Sequence, residues 1–123
     1  MEDLQLGVIE TRFAEIIWKN EPVSSMELVK LCERELGWKK STTFTVLRKL
    51  CQKGIFQNKE TIVTSCMSQQ EFYTRRSAKL VEDGFGDSLP AFLTAFTKQR
   101  KPSAEELAEI RRIIDSLETE IKS

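Results

Sequence analysis

Apolar residues recur along the first half of the chain at helical spacing, and the pattern breaks at a few defined points. Ile9, Phe13, Ile16 and Ile17 fall at i, i+4, i+7 and i+8, which predicts a helix from about Leu6 to Asn20. Pro22 stops it, because a proline offers no backbone N–H to a continuing helix. A second helix begins at Ser24. Ser24 and Glu27 have capping-box spacing, and Val23 and Leu28 are placed as a hydrophobic staple. Leu28, Val29, Cys32 and Leu36 form its inward stripe, and Gly37 ends it. A third helix is expected from near Ser41 to Gly54. Thr43, Val46, Leu47 and Leu50 line its inner face, and Thr42, Thr45, Arg48, Lys49 and Gln52 its outer face.

The period then changes. The β-branched run Thr61-Ile62-Val63-Thr64-Ser65-Cys66-Met67 reads as a strand, and Ile55-Phe56-Gln57 pairs with it across a turn near Asn58-Lys59-Glu60. The remainder reads as helical. Ser68 to Glu71 is a capping box leading into a helix with Phe72, Tyr73, Leu80, Val81 and Phe85 on its apolar face, interrupted by Gly84 and Gly86. Leu89, Phe92, Leu93 and Phe96 mark a short amphipathic helix, and Gln99-Arg100-Lys101-Pro102 is a polar break. The last helix opens with the capping box Ser103 to Glu106. Its Leu107, Ile110, Ile114, Leu117 and Ile121 recur at spacings of 3, 4, 3 and 4, as in a coiled-coil seam. A helix packed inside its own subunit gives the same pattern. Three short helices followed by two strands make a winged-helix layout, so the fold class is mainly α: a winged helix-turn-helix domain with a small β-wing and a helical C-terminal region.

Charge sharpens this picture. The chain of 123 residues has 19 basic and 19 acidic residues, so net charge argues neither for nor against nucleic acid. Its distribution does. From Trp38 to Lys59 stand Lys39, Lys40, Arg48, Lys49, Lys53 and Lys59 with no acid among them. A local positive patch on a neutral protein is the electrostatic footprint of a DNA contact, although a solvated lysine-rich face looks alike. The short glycine-containing turn Gly37-Trp38-Lys39-Lys40 suits a helix-turn-helix motif, whose second helix enters the major groove. Ser41, Thr42 and Thr45, with Phe44 beside them, would then meet base edges. Arg48, Lys49 and Lys53 suit phosphates. Three other helix starts carry a glutamate at N3 (Glu27, Glu71 and Glu106), whereas a helix beginning at Ser41 carries Phe44 there, leaving its positive end for a phosphate.

Other classes fare poorly. The chain has no histidine, so Ser-His and Cys-His nucleophile arrangements are absent, as are phosphate-binding glycine motifs. The acidic clusters Glu33/Glu35 and Glu105/Glu106/Glu109 lie on amphipathic helices and read as solvated faces. Cys32, Cys51 and Cys66 lack zinc-ligand spacing and are expected to be small buried residues, so no metal and no cofactor is expected. No apolar run approaches the ~18 residues of a membrane span, so no membrane insertion is expected. The acidic start Met1-Glu2-Asp3 lacks secretory features, which points to the cytoplasm.

Leu6, Glu10, Trp18 and Pro22, followed by Trp38, Thr42, Thr45, Leu47, Lys49-Leu50 and Lys53-Gly54, resemble the BlaI/MecI/CopY family of penicillinase and copper repressors. The likeness continues through Gly86-Asp87-Ser88, Phe96 and Ser103 with Glu106-Leu107. The resemblance implies a DNA-binding domain over residues 1–67 and a helical dimerisation domain over residues 68–123. It implies a homodimer on a palindromic operator in double-stranded DNA, with Thr42, Thr45 and Lys49 facing the DNA. Leu89, Phe92 and Phe96 would join the Leu107–Ile121 seam in the dimer. In the antibiotic-responsive branch a sensor-linked protease cuts before a phenylalanine, and Ala95-Phe96 occupies that position. Three departures stand out. The segment from Asn58 to Val63 has one lysine where the family's wing is basic, Phe44 replaces a polar or basic residue, and Glu120-Ile121-Lys122-Ser123 replaces the copper branch's cysteine cluster, so direct copper sensing is not expected. The alternative reading is a winged helix that binds only protein.

Overall fold

The computed structural model describes residues 4–122. Met1-Glu2-Asp3, whose acidity bore on location, and the terminal Ser123 lie outside the described residues. By its internal contacts the chain forms two compact units, the first ending at Lys79 and the second beginning at Leu80.

The first unit contains α1 (Val8–Asn20), β1 (Val23–Ser24), α2 (Ser25–Leu36), α3 (Lys40–Gln52), β2 (Phe56–Lys59) and β3 (Ile62–Ser65). The helix α4 (Gln69–Gly84) starts in it. The ends of these elements have local causes. Ser24 Oγ accepts the Glu27 N–H at 3.1 Å and starts α2. Gly37, at φ 68°, closes it by donating its N–H to the Glu33 carbonyl. α3 ends in a Schellman arrangement. The N–H of Gly54, at φ 81°, reaches the Cys51 carbonyl, and the Ile55 N–H reaches that of Leu50. Leu50 and Ile55 are both fully buried, which supplies the motif's apolar contact.

The sheet is antiparallel, in the order β1-β3-β2. Two strands were expected, and three form. Val23 and Ser24 pair with Val63 and Ile62, so the residues that cap and staple α2 also extend the wing. The hairpin turn is Glu60-Thr61, one residue later than the pattern predicts, with Lys59 opposite Ile62. Both turn residues are left-handed, at φ 51° and 66°. A two-residue turn of that hand matches the twist of the strands, but it normally recruits glycine or asparagine.

The core joins both layers. Phe13, Ile17, Leu28, Cys32, Leu50, Ile55, Phe56, Val63 and Phe72 are fully buried. Trp18 packs its ring against Phe56 and Phe72 at 5.2 and 5.3 Å between centroids. Its indole N–H donates to the Met67 carbonyl, satisfying the one polar atom the ring brings inward. Glu21 accepts the Ser65 N–H and hydroxyl, fastening the end of α1 to β3. Ile9 departs from expectation: it is 48% exposed. α1 begins at Val8, and Leu4 and Leu6 on the extended lead-in occupy the buried positions instead. α3 also starts earlier than expected, at Lys40 with Lys39 as its N-cap, so its N3 residue is Thr42 and not Phe44.

The second unit holds the rest of α4, α5 (Leu89–Gln99) and α6 (Ala104–Lys122). Ser88 caps α5, and Ser103 and Glu106 form the reciprocal box that starts α6. Phe85, Phe92 and Phe96 make a run of ring contacts at 5.5 and 5.8 Å. Neither α5 nor α6 contains a buried residue. No helix of the described residues is long and apolar enough to cross a membrane.

The left-handed threonine at the wing tip gives a stability test. A β-branched residue at that φ costs about 1 kcal/mol relative to glycine. Thr61→Gly should therefore raise the thermal midpoint of the first unit, read by circular dichroism. A lowered midpoint would show that the threonine side chain contributes more than its backbone costs.

Candidate nucleic-acid interface

α2 and α3 are joined by Gly37, Trp38 and Lys39. The turn is braced from behind, because the Trp38 ring stacks on Phe13 of α1 at 5.3 Å and 28°. The Trp38 N–H also bonds to the Cys32 carbonyl. Burial then orients α3. Thr43, Leu47 and Leu50 are buried, and the Thr43 hydroxyl donates to the Lys39 carbonyl. With that face turned inward, Ser41, Thr42, Thr45, Arg48, Lys49 and Gln52 are exposed together on the other. This places the predicted threonines and two predicted cations on one surface.

The remaining candidates divide. Lys39 and Lys40 are exposed at the start of α3, and Lys59 is exposed at the end of β2. Phe44 is half-buried and packs against the core, with the Lys40 ammonium 6.0 Å from its ring centroid. Thr45 donates its hydroxyl to the Ser41 carbonyl at 2.9 Å, so toward a ligand it presents lone pairs and a methyl group. The first turn of α3 holds no acid. That feature does not set it apart, since the first turn of α5 holds none either.

One part of the surface left no signal in the sequence. Lys49 Nζ lies 2.8 Å from Glu10 Oε2. The other carboxylate oxygen of Glu10 accepts the Gly7 N–H at 3.0 Å. The Lys49 ammonium, and then the Gly7 N–H, hold the Glu10 carboxyl below the usual carboxylate range. Lys53 donates to the Gln5 carbonyl at 2.8 Å. Lys49 of α3 and Lys53, its C-cap, are thus engaged by the first turn of α1 and by the chain leading into it. Glu10 appears in the motif but lies 39 positions from Lys49, and no local rule pairs residues so far apart.

One cysteine meets the expectation of burial and two depart from it. Cys32 is buried, Cys51 is half-buried and Cys66 is exposed. Cys66 directly follows β3, where its N–H donates to the Ile55 carbonyl and its side chain is exposed. Burial pushes the Cys32 thiol up to about 11. The described residues hold no group of three or more metal-ligating side chains.

In the second unit, the Leu107, Ile114, Leu117 and Ile121 side chains of the seam are exposed, from 40% at Leu107 to 83% at Ile121, and Ile110 is half-buried. Leu89 and Phe96 are exposed, and Phe92 is half-buried. Ala95 and Phe96 sit within α5, with the Arg100 guanidinium 5.2 Å from the Phe96 ring and bidentate on Glu106.

Two helices joined by a tight turn, a third helix behind them, a β-hairpin beside them and a polar, cationic outer face on the second helix define a winged helix-turn-helix DNA-binding protein. The sequence profile of the penicillinase repressors matches residues 6–116, and the chain belongs to that family of transcriptional repressors. The penicillinase repressor of Bacillus licheniformis is 20% identical over 115 residues, which are 90% of each chain.

The thiols give a check on this geometry. In native protein at pH 8, iodoacetamide should label Cys66 first, and Cys32 only on unfolding, as read by peptide mass spectrometry. Rapid native labelling of Cys32 would contradict the packing of α2 on α3.

Proposed function

We propose that this chain represses transcription in the cytoplasm as a homodimer on a palindromic operator. The observation that carries the reading is the exposed face of α3, where Ser41, Thr42, Thr45, Arg48 and Lys49 lie together on a helix held rigidly from behind. Thr42 and Thr45 meet base edges, and thymine methyl groups suit the threonine methyls. Arg48 and Lys49, with Lys39 and Lys40 at the helix start, take phosphates.

The dimer reading is supported by the second unit. α5 and α6 bury none of their residues, although Leu107, Ile110, Ile114, Leu117 and Ile121 form an apolar stripe. A second copy is the partner that matches such a stripe by symmetry. Two recognition helices then lie about 34 Å apart, one turn of B-DNA. Relief comes from an inducer or from a sensor-linked protease cutting at Ala95–Phe96.

A duplex from upstream of the chain's own gene tests this by gel shift and salt titration. Affinity should fall steeply with salt as phosphates release counterions, by roughly a thousandfold or more between 50 and 200 mM for a dimer making several phosphate contacts. Arg48→Ala should weaken binding about tenfold. Leu117→Asp should yield monomers in sedimentation and lose operator binding. Salt-insensitive retention, or none on any genomic duplex, would favour the winged helix that binds only protein.

A further inference from the structure

Lys49 stands on the outer face of α3 one turn beyond Thr45 and two beyond Thr42, and its ammonium is already held by a carboxylate. Plain electrostatics makes this unfavourable for DNA binding. Glu10 puts a negative charge beside a surface that the proposed function turns toward phosphates, so its presence asks for a reason.

Exposure and bonding supply one. The Lys49 side chain is 55% exposed and that of Glu10 only 22%, so the carboxylate sits deeper and the ammonium further out. Glu10 is itself fixed, because its second oxygen takes the Gly7 N–H at the start of α1. An ammonium has three donors, and one bond to Glu10 Oε2 leaves two for another acceptor. A free lysine loses much rotamer freedom when it docks on a phosphate, and one already held in place loses less. One turn further on, Lys53 at the C-cap of α3 holds the Gln5 carbonyl, so the start of α1 and its lead-in are each fastened to α3 or its cap at one point.

We propose that Glu10 is a positioning residue for DNA binding: it holds the Lys49 ammonium on the outer face of α3, oriented for one backbone phosphate. The inference rests on the DNA-binding reading and deepens it. Glu10 touches no DNA and acts through Lys49. Its cost as a negative charge falls on every DNA sequence alike, whereas its benefit appears only where a phosphate meets the held ammonium, in the operator register.

The test is a double-mutant cycle on the full chain, using the duplex from its own upstream region, a random-sequence duplex of equal length and a thermal melt of each variant. Glu10→Gln removes the charge that holds Lys49. Lys49→Met removes the ammonium from an exposed position and keeps most of the stem, which leaves the fold intact. Glu10→Gln should weaken operator binding by roughly two- to tenfold, the cost of immobilising one long side chain, despite deleting a negative charge. Lys49→Met should weaken it and lower the salt slope by about one per subunit. In the Lys49→Met background, Glu10→Gln should have no further effect. Tighter operator binding by Glu10→Gln overturns the proposal, because Glu10 then only repels DNA. An equal loss in both backgrounds overturns it too, as the signature of a structural role. If Glu10→Gln does not fold, an unchanged salt slope in Lys49→Met is sufficient to overturn it. Wild-type protein that shifts neither duplex overturns the DNA reading, and this inference with it.

Discussion

The inward face of α3 constrains everything the first unit does at its surface. Thr43, Leu47 and Leu50 lie buried in successive turns, and Leu50 joins Ile55 across the Schellman turn that leads into the wing. A buried side chain of this size contributes about 2 kcal/mol, so rotating α3 about its axis would forfeit a large part of a domain's margin of stability. The outer face is therefore fixed by the inner one. Ser41, Thr42, Thr45, Arg48 and Lys49 share a surface because the residues between them cannot leave the core. The stacked pair Phe13 and Trp38 does the same for the turn, setting where α3 begins relative to α1.

Features settled by neighbours in the chain were legible before the fold was known. The cap at Ser24, the αL glycine at Gly37, the hairpin and the box at Ser103 depend on residues within a few positions, and all of them form. Features that depend on distant partners were not. β1 is only two residues long and exists because β3, some 40 positions on, offers Val63 and Ile62 as partners. Ile9 fits the helical stripe of α1, yet Leu4 and Leu6 from the extended lead-in take the core. The N-cap of α3 is Lys39, which makes no side-chain cap bond, whereas a serine cap at Ser41 would lie two residues later. The candidate site followed the same rule. Its cationic stretch was visible as charge, but the engagement of Lys49 by Glu10 and of Lys53 by Gln5 needed the tertiary fold.

The two units use apolar surface differently. In the first, aromatic rings close a core around Trp18, Phe56 and Phe72. In the second, amphipathic helices leave their stripes uncovered, with Ile113, Ile114, Leu117 and Ile121 all exposed. Such a stripe is costly in water and is rarely kept without a partner. Its heptad-like spacing suits a helix of the same sequence, which is why the proposed dimer is assigned to this unit.

The wing bears on how binding energy is distributed. Lys59 is its one cation, Glu60 beside it cancels the charge locally, and Ile62 is an exposed apolar residue. The hairpin is nonetheless well anchored through Val63 in the core and Ser65 on Glu21. A rigid but nearly uncharged wing adds little long-range attraction, because steering depends on summed charge that is here zero overall. On the proposed reading, recognition then falls on α3, where a few held side chains must discriminate without much help from bulk electrostatics. A protein in that position gains more from cations fixed in register than from cations added at random, since only the former distinguish one phosphate path from another. In the proposed role, the carboxylate behind Lys49 gives up attraction in exchange for geometry.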